Sequence, residues 1–254
     1  MKLDATDMEY DVLNQTLRDS TDADFEITGL LGQRFIAAGA SNRHIALHGT
    51  PGNALAAYLN GADVVVYGNA QDAVGDTMNE GTVVVHGNIG DAAGYAMRGG
   101  SIYVRGNAGY RAGIHMKAYQ DKVPVMIIGG KAGSFLGEYQ AGGVIVVLDL
   151  GSKGGLCVGD FPCTGMHGGK MFLRSDCAGV GFPEQVTPRP ATEEDIAELR
   201  GYIGEYCAVF GLDIDGVLAA PLTVVTPDSS NPYRQMYVPN YPRRLFARRE
   251  EVFL

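Results

Sequence analysis

The sequence predicts an all-β core, a single-stranded right-handed parallel β-helix of about seven coils, capped by short terminal helical segments. Three observations predict it. Glycine occupies 36 of 254 positions, about twice its usual share, without the every-third spacing of collagen. One apolar, β-branched run recurs in each repeat. The repeats also stay in register: the closing glycines Gly49, Gly68, Gly87 and Gly106 are spaced by 19 residues.

Residues 1–43 lack the repeat and read as an N-terminal capping segment, with a helix expected over residues 8–18. The start, Met1-Lys2-Leu3-Asp4, leads into an acidic polar stretch instead of a signal-peptide core. No run reaches the roughly 18 apolar residues of a membrane span.

Residues 44–175 carry the repeat. Its strands are Ile45-Ala46-Leu47-His48-Gly49, Val64-Val65-Val66-Tyr67-Gly68, Val83-Val84-Val85-His86-Gly87 and Ile102-Tyr103-Val104-Arg105-Gly106. Asn69, Asn88 and Asn107 form a further column, as do Gly75, Gly94 and Gly113, and Met78, Met97 and Met116. Residues 130–143 restate residues 68–81 after an insertion around residues 118–122, and Val144-Ile145-Val146-Val147 follows where the next strand is due. Met166-His167-Gly168-Gly169 through Arg174 echoes Met97-Arg98-Gly99-Gly100 through Arg105, giving seven related strands. Leucine-rich repeats share the period but need a leucine pattern that is missing. Coils stacked at strand spacing would make a rod on the order of 34 Å long.

Strand alternation turns Val64, Val66 and their counterparts inward. Val65, Tyr67, Val84, His86, Tyr103 and Arg105 then point outward and are the candidate partner interface. An outward apolar column implies a cover, from the chain's own termini or from a partner. The glycine columns mark corners, the asparagines a ladder between coils, and the methionines core filling.

Residues 176–254 read as a C-terminal helix and an extended tail. Thr192-Glu193-Glu194-Asp195 resembles a capping box. Ile196, Leu199, Ile203, Tyr206 and Phe210 recur at helical spacing until Gly211. Prolines at 221, 227, 232, 239 and 242 argue against any later regular element, while Tyr233, Tyr237 and Tyr241 argue against pure disorder. A net charge of −9 opposes a general polyanion binder, and Arg243, Arg244, Arg248 and Arg249 are followed at once by Glu250 and Glu251.

The residues predict no catalytic, cofactor or metal site on this chain. Cys157, Cys163, Cys177 and Cys207 lack a C-x2-C pair and read as buried free thiols of a cytoplasmic protein. His48 and His86 share a column two coils apart, too far for one metal ion, and His44, His115 and His167 complete no ligand set. Asp72 and Asp91, with Asp76 nearby, offer paired carboxylates for acid–base work in a carbohydrate-active β-helix, but their corner positions suit local backbone bonding better. The fragment Gly87-x-x-Gly90-x-x-x-Gly94 opens no helix, so it fails as a phosphate loop.

The stretch from His44 to Arg174 resembles the GXGXG domain that closes the large subunit of glutamate synthase. Its most specific parts are His48-Gly49-Thr50-Pro51-Gly52-Asn53, Gly68-Asn69-x-x-Asp72-x-x-Gly75 and Gly109-Tyr110-Arg111-Ala112-Gly113-Ile114-His115-Met116-Lys117, to which Gly137-Glu138-Tyr139-Gln140-Ala141-Gly142-Gly143 and Gly165-Met166-His167-Gly168-Gly169 add. The form most like it is the free-standing version found as a separate chain in archaeal and anaerobic bacterial systems. The resemblance implies a non-catalytic packing subunit in a complex that makes two glutamates from glutamine and 2-oxoglutarate. Its implied partners are a glutamine amidotransferase subunit and an FMN/iron–sulfur synthase subunit, with a homo-oligomer also open. The β-helical subunit of formylmethanofuran dehydrogenase is similar too, so the implied complex is one of these or another amidotransferase-linked complex.

Overall fold

The computed structural model describes residues 1–152 and 154–228; the expected tail and its arginines lie outside the described residues. The chain is mostly β. Among the described residues eleven strands form one sheet: β1 (Lys2–Asp4), β2 (Asp24–Leu31), β3 (His44–Thr50), β4 (Asn60–Tyr67), β5 (Glu80–Val85), β6 (Ser101–Val104), β7 (Val125–Ile128), β8 (Ala141–Val147), β9 (Gly168–Leu173), β10 (Val186–Pro190) and β11 (Thr223–Pro227). Three helices accompany them, α1 (Tyr10–Asp19), α2 (Glu193–Phe210) and α3 (Ile214–Leu218).

From β1 to β9 the strands lie side by side in chain order and pair in parallel. Ile45 pairs with Val64, Val64 with Val83, and Val83 with Ile102, a constant step of 19 residues. Ile102 then pairs with Met126, the step lengthened by a tight turn in which Tyr119 and Lys122 bridge. A second parallel ladder of single bridges joins Ala70, Ile89, Ala108, Ala132 and Val158.

Because successive turns register on each other, like side chains stack. Leu47, Val66, Val85, Val104, Ile128, Val147 and Leu173 form one inner file, all fully buried. Met78, Met97 and Met116 fill the same core from the opposite arc. Helix α1 closes the N-terminal end by burying Leu13 and Leu17 against Phe25, Ile27 and Ile36. The Arg43 guanidinium donates to the carbonyls of Leu17 and Ser20, satisfying the end of that helix.

The far end corrects the expectation of an all-parallel sheet. Strand β11 runs antiparallel to β9, pairing Val224 with Phe172 and Val225 with Met171, and β10 runs antiparallel to β11. The sheet is therefore mixed. An open parallel edge at β9 would template further chains; β11 covers it, and β10, carrying Pro188 and Pro190, ends the sheet on a strand poor in donors. The prolines at 221 and 227 argue against an element here, yet Pro227 is the last residue of β11.

Helix α2 begins with a full capping box: Thr192 Oγ1 accepts from the Asp195 N–H at 3.3 Å and the Thr192 N–H donates to Asp195 Oδ2 at 2.9 Å. Arg189 and Lys170 also pair with Asp195, and the Arg189 hydrogen bond above all holds its carboxyl far below the usual range. Gly211, in the left-handed conformation, ends the helix. The apolar face of α2 packs Leu199, Ile203 and Tyr206 on the outer side of the sheet, against Val84, Tyr103, Ile127, Val146 and Phe172. Buried Tyr206 donates from Oη to the Val104 carbonyl at 3.3 Å.

Gly129 makes that approach possible, since a Cβ there would collide with Tyr206 Oη and the Arg105 carbonyl. Gly129→Ala is expected to lower unfolding stability in urea by about 1–3 kcal/mol. Gly201, in α2, has open space around it, so Gly201→Ala is expected to raise stability by about 0.5–1 kcal/mol. Shifts of the same sign would contradict the packing.

Candidate interaction surface

Two outward faces carry the side chains that polar chemistry or partner binding could use. The first is the outer side of the sheet. His48 and Tyr67 stack with ring centroids 4.9 Å apart, Tyr67 and His86 at 5.0 Å, and His86 meets the edge of Phe210 from α2 at 5.3 Å. Strand alternation generates this file, because one residue per turn recurs at the same height.

The six expected interface residues divide. Val84 and Tyr103 are buried by the chain's own α2, with Tyr103 Oη donating to Glu205 Oε2 at 2.9 Å. Burial pushes the Tyr103 phenol up to about 12. Tyr67 and Arg105 are exposed, and Val65 and His86 are half-buried. Partial burial, and then the nearby Arg105 guanidinium, hold the His86 imidazole below its ordinary value.

The second face has no counterpart among the sequence expectations. On the arc opposite the sheet, each turn places three alternate residues in the left-handed region: Ala92, Gly94 and Ala96, then Arg111, Gly113 and His115, then Phe135, Gly137 and Tyr139. A left-handed conformation costs a non-glycine residue roughly 1–2 kcal/mol. Hydrogen bonds between turns offset it. Ala92 donates to Tyr110 O in the next turn at 2.8 Å, Gly94 to Val74 O in the preceding turn at 2.7 Å, and Ala96 to Ile114 O at 2.9 Å.

This arc shows solvent a series of large side chains. His115 stacks on Tyr139 at 5.1 Å and meets Tyr95 edge-on at 5.8 Å. Phe135 stacks on Phe161 at 5.3 Å, and the Arg111 guanidinium lies over the Phe135 ring. Phe161 is 60% exposed and Tyr110 56%. Bulky residues held in a disfavoured backbone region yet left in water are poorly explained by folding alone. The sequence holds a faint signal: the file Ala54, Ala73, Ala92 changes to Arg111, Phe135, Phe161 partway along the repeat.

The other candidates serve structure. Asp72 Oδ1 accepts from the Asp91 N–H and Asp91 Oδ1 from the Tyr110 N–H, both at 2.8 Å, so the paired carboxylates stitch turns together. Asn69 and Asn88 do the same for Asn88 and Asn107. In the fragment that mimics a phosphate loop, the Gly90 and Gly94 N–H groups are already bonded to Ala70 and Val74 carbonyls. Among the described residues no three His, Cys, Asp or Glu side chains gather as a metal site, and no helix is long and apolar enough to cross a membrane.

Three similarities place the chain among known proteins. Residues 5–221 match the GXGXG motif family. An uncharacterized protein of Methanocaldococcus jannaschii is 42% identical over 251 residues, covering 94% of this chain and 96% of that protein. A chain of the formyltransferase/hydrolase complex FhcABCD of Methylorubrum extorquens, crystallised with methylofuran, superposes with a TM-score of 0.51 at 18% identity, covering 87% of this chain and 88% of that one. At that identity the likeness is one of fold.

Two outcomes are expected from this geometry. Asp91→Asn keeps the accepting oxygen and leaves stability nearly unchanged, whereas Asp91→Ala lowers it by about 1 kcal/mol in chemical denaturation; equal losses would remove the ladder reading. For His86, the folded chain disfavours the imidazolium, so the unfolded chain takes up the proton first as pH falls. Stability is then full above the ordinary histidine value of 6.5 and declines below it. Urea midpoints measured across that value are expected to fall less steeply for His86→Gln than for the unaltered chain, and identical slopes would contradict the account.

Proposed function

The chain belongs to the GXGXG motif family, and from that premise we propose that it is a non-catalytic structural subunit of a glutamate synthase-type complex. One observation carries this reading: the aromatic arc in which Arg111, His115, Tyr139 and Phe161 hold a left-handed backbone although their side chains are exposed, joined by exposed Tyr95 and half-buried Phe135. Such a patch suits burial by another subunit. The proposed partners are a glutamine amidotransferase subunit and an FMN/iron–sulfur synthase subunit, with the chemistry on those chains. A cytoplasmic setting is part of the proposal, supported by four cysteines that are all free.

A second reading has its own support. The fold shared with a chain of the formyltransferase/hydrolase complex favours a place in a formylmethanofuran dehydrogenase-type assembly. In both readings we take the parallel strands as a right-handed β-helix with seven coils from β3 to β9. Successive parallel strands joined by crossovers are right-handed in nearly all proteins.

Co-purification of the tagged chain from its native host separates the readings. An amidotransferase-like chain together with an FMN and iron–sulfur chain is the expected result. A molybdenum or tungsten dehydrogenase would move the chain to the second assembly, and glutamine turnover by the purified chain alone would sink the non-catalytic reading. With partners identified, Phe161→Asp is expected to weaken their association at least about tenfold, while Tyr67→Asp leaves it unchanged.

A further inference from the structure

At the C-terminal end, away from both aromatic files, an apolar cavity of about 600 Å³ opens between the segment after β9, strand β10 and the approach to β11. Val180, Phe182, Pro188, Ile196 and Leu222 line it, and Cys177 lies in its wall. Cys177 is 8% exposed, adopts a left-handed backbone conformation, and donates its backbone N–H to Ser175 Oγ at 3.0 Å. Behind it, 1% exposed, lies Cys157 in the same buried cluster, near enough that the two thiols shift each other's acidity. Cys157 belongs to the preceding turn, where its carbonyl accepts from the Ala132 N–H. Two thiols from successive turns thus share one part of the core, and the cavity reaches one of them.

We propose that Cys177 and Cys157 form a thiol–disulfide exchange site, in which the cavity admits a small organic disulfide and the pair closes to an intramolecular disulfide. The Cys177 sulfur attacks one sulfur of the small disulfide; the old S–S bond breaks and one thiolate leaves and takes up a proton. Cys157 then gives up its proton and attacks the Cys177 sulfur of the mixed disulfide, releasing the second thiolate. Two protein thiols are oxidised and one small disulfide is reduced to two thiols.

The environment suits these roles. The neighbouring Cys157 thiol, and then the hydroxyls of Thr223 and Ser175, lower the Cys177 thiol against the opposing effects of burial and Asp176. Cys157 is raised by the Cys177 thiol and by burial, with Asp149 acting in the same direction. A nucleophile at the cavity and a resolving thiol behind it is the order that exchange needs. Cys163, fully buried and pushed up to about 12, and Cys207, on α2, lie outside the cavity wall.

The test uses the full chain under native conditions with oxidised glutathione, followed by thiol counting and peptide mapping. Two thiols are expected to disappear, with Cys157 joined to Cys177. In Cys157→Ser the reaction is expected to stop as a glutathione adduct on Cys177, and Cys177→Ser is expected to form neither adduct nor bridge. A brief iodoacetamide pulse on the unaltered chain, which needs no variant to fold, is expected to label Cys177 first. Retention of all four thiols, a bridge through Cys163 or Cys207, or first labelling at another cysteine would each overturn the proposal. The site is independent of the subunit reading, so either can fail alone.

Discussion

Each turn of this chain is held by backbone hydrogen bonds to the turns on either side, and those bonds fix the register at one repeat. Everything else follows from that register. Because Val64 must lie over Val83 and Val83 over Ile102, the inner files consist of like on like, and a slip of one residue would turn each file to the wrong face. Close stacking also removes room for a Cβ at several corners. At Gly68 a Cβ would strike the Gly49 carbonyl of the turn before. The glycine content is thus a consequence of turns approaching at strand spacing.

The same register explains the chain's capping and its two outer faces. A stack of parallel turns has two ends, and the molecule closes each differently: a helix over the core at one, an antiparallel pair across the open edge at the other. Helix α2 lies across the sheet's outer side over β5 to β9, converting its apolar side chains into a second core. It leaves the His48–Tyr67 part of that face open and does not reach the arc opposite. There the backbone alternates into the left-handed region, and the turn-to-turn bonds that stabilise it consume the amides that could otherwise cradle an anion. What that arc offers a ligand is its side chains, and these are aromatic.

Much of this is legible in the residues because the signal repeats. Columns at constant spacing reveal the strands, the inward files and the methionine core, and Thr192 with Asp195 marks the start of α2 where it lies. Other features leave no such trace. Strand β10 carries two prolines in five residues, which local propensity reads against a strand; only its place at the sheet's edge makes them tolerable. Alternation identifies Val84 and Tyr103 as outward, but which segment covers an outward residue is decided by tertiary packing. The aromatic arc escapes a sequence reading because its left-handed positions hold Phe35, then alanine at 54, 73 and 92, then Arg111, Phe135 and Phe161, so no single residue type marks the file.

The central claim is that the aromatic arc is where another subunit sits. Hydroxyl-radical footprinting of side chains, comparing the free chain with the purified complex, tests it most directly because it reads aromatic exposure residue by residue. The account predicts that Tyr95, Tyr139 and Phe161 are labelled in the free chain and protected in the complex, while Tyr67 is labelled in both. Equal labelling of the arc in both states, with protection appearing at Tyr67 or elsewhere, would contradict it.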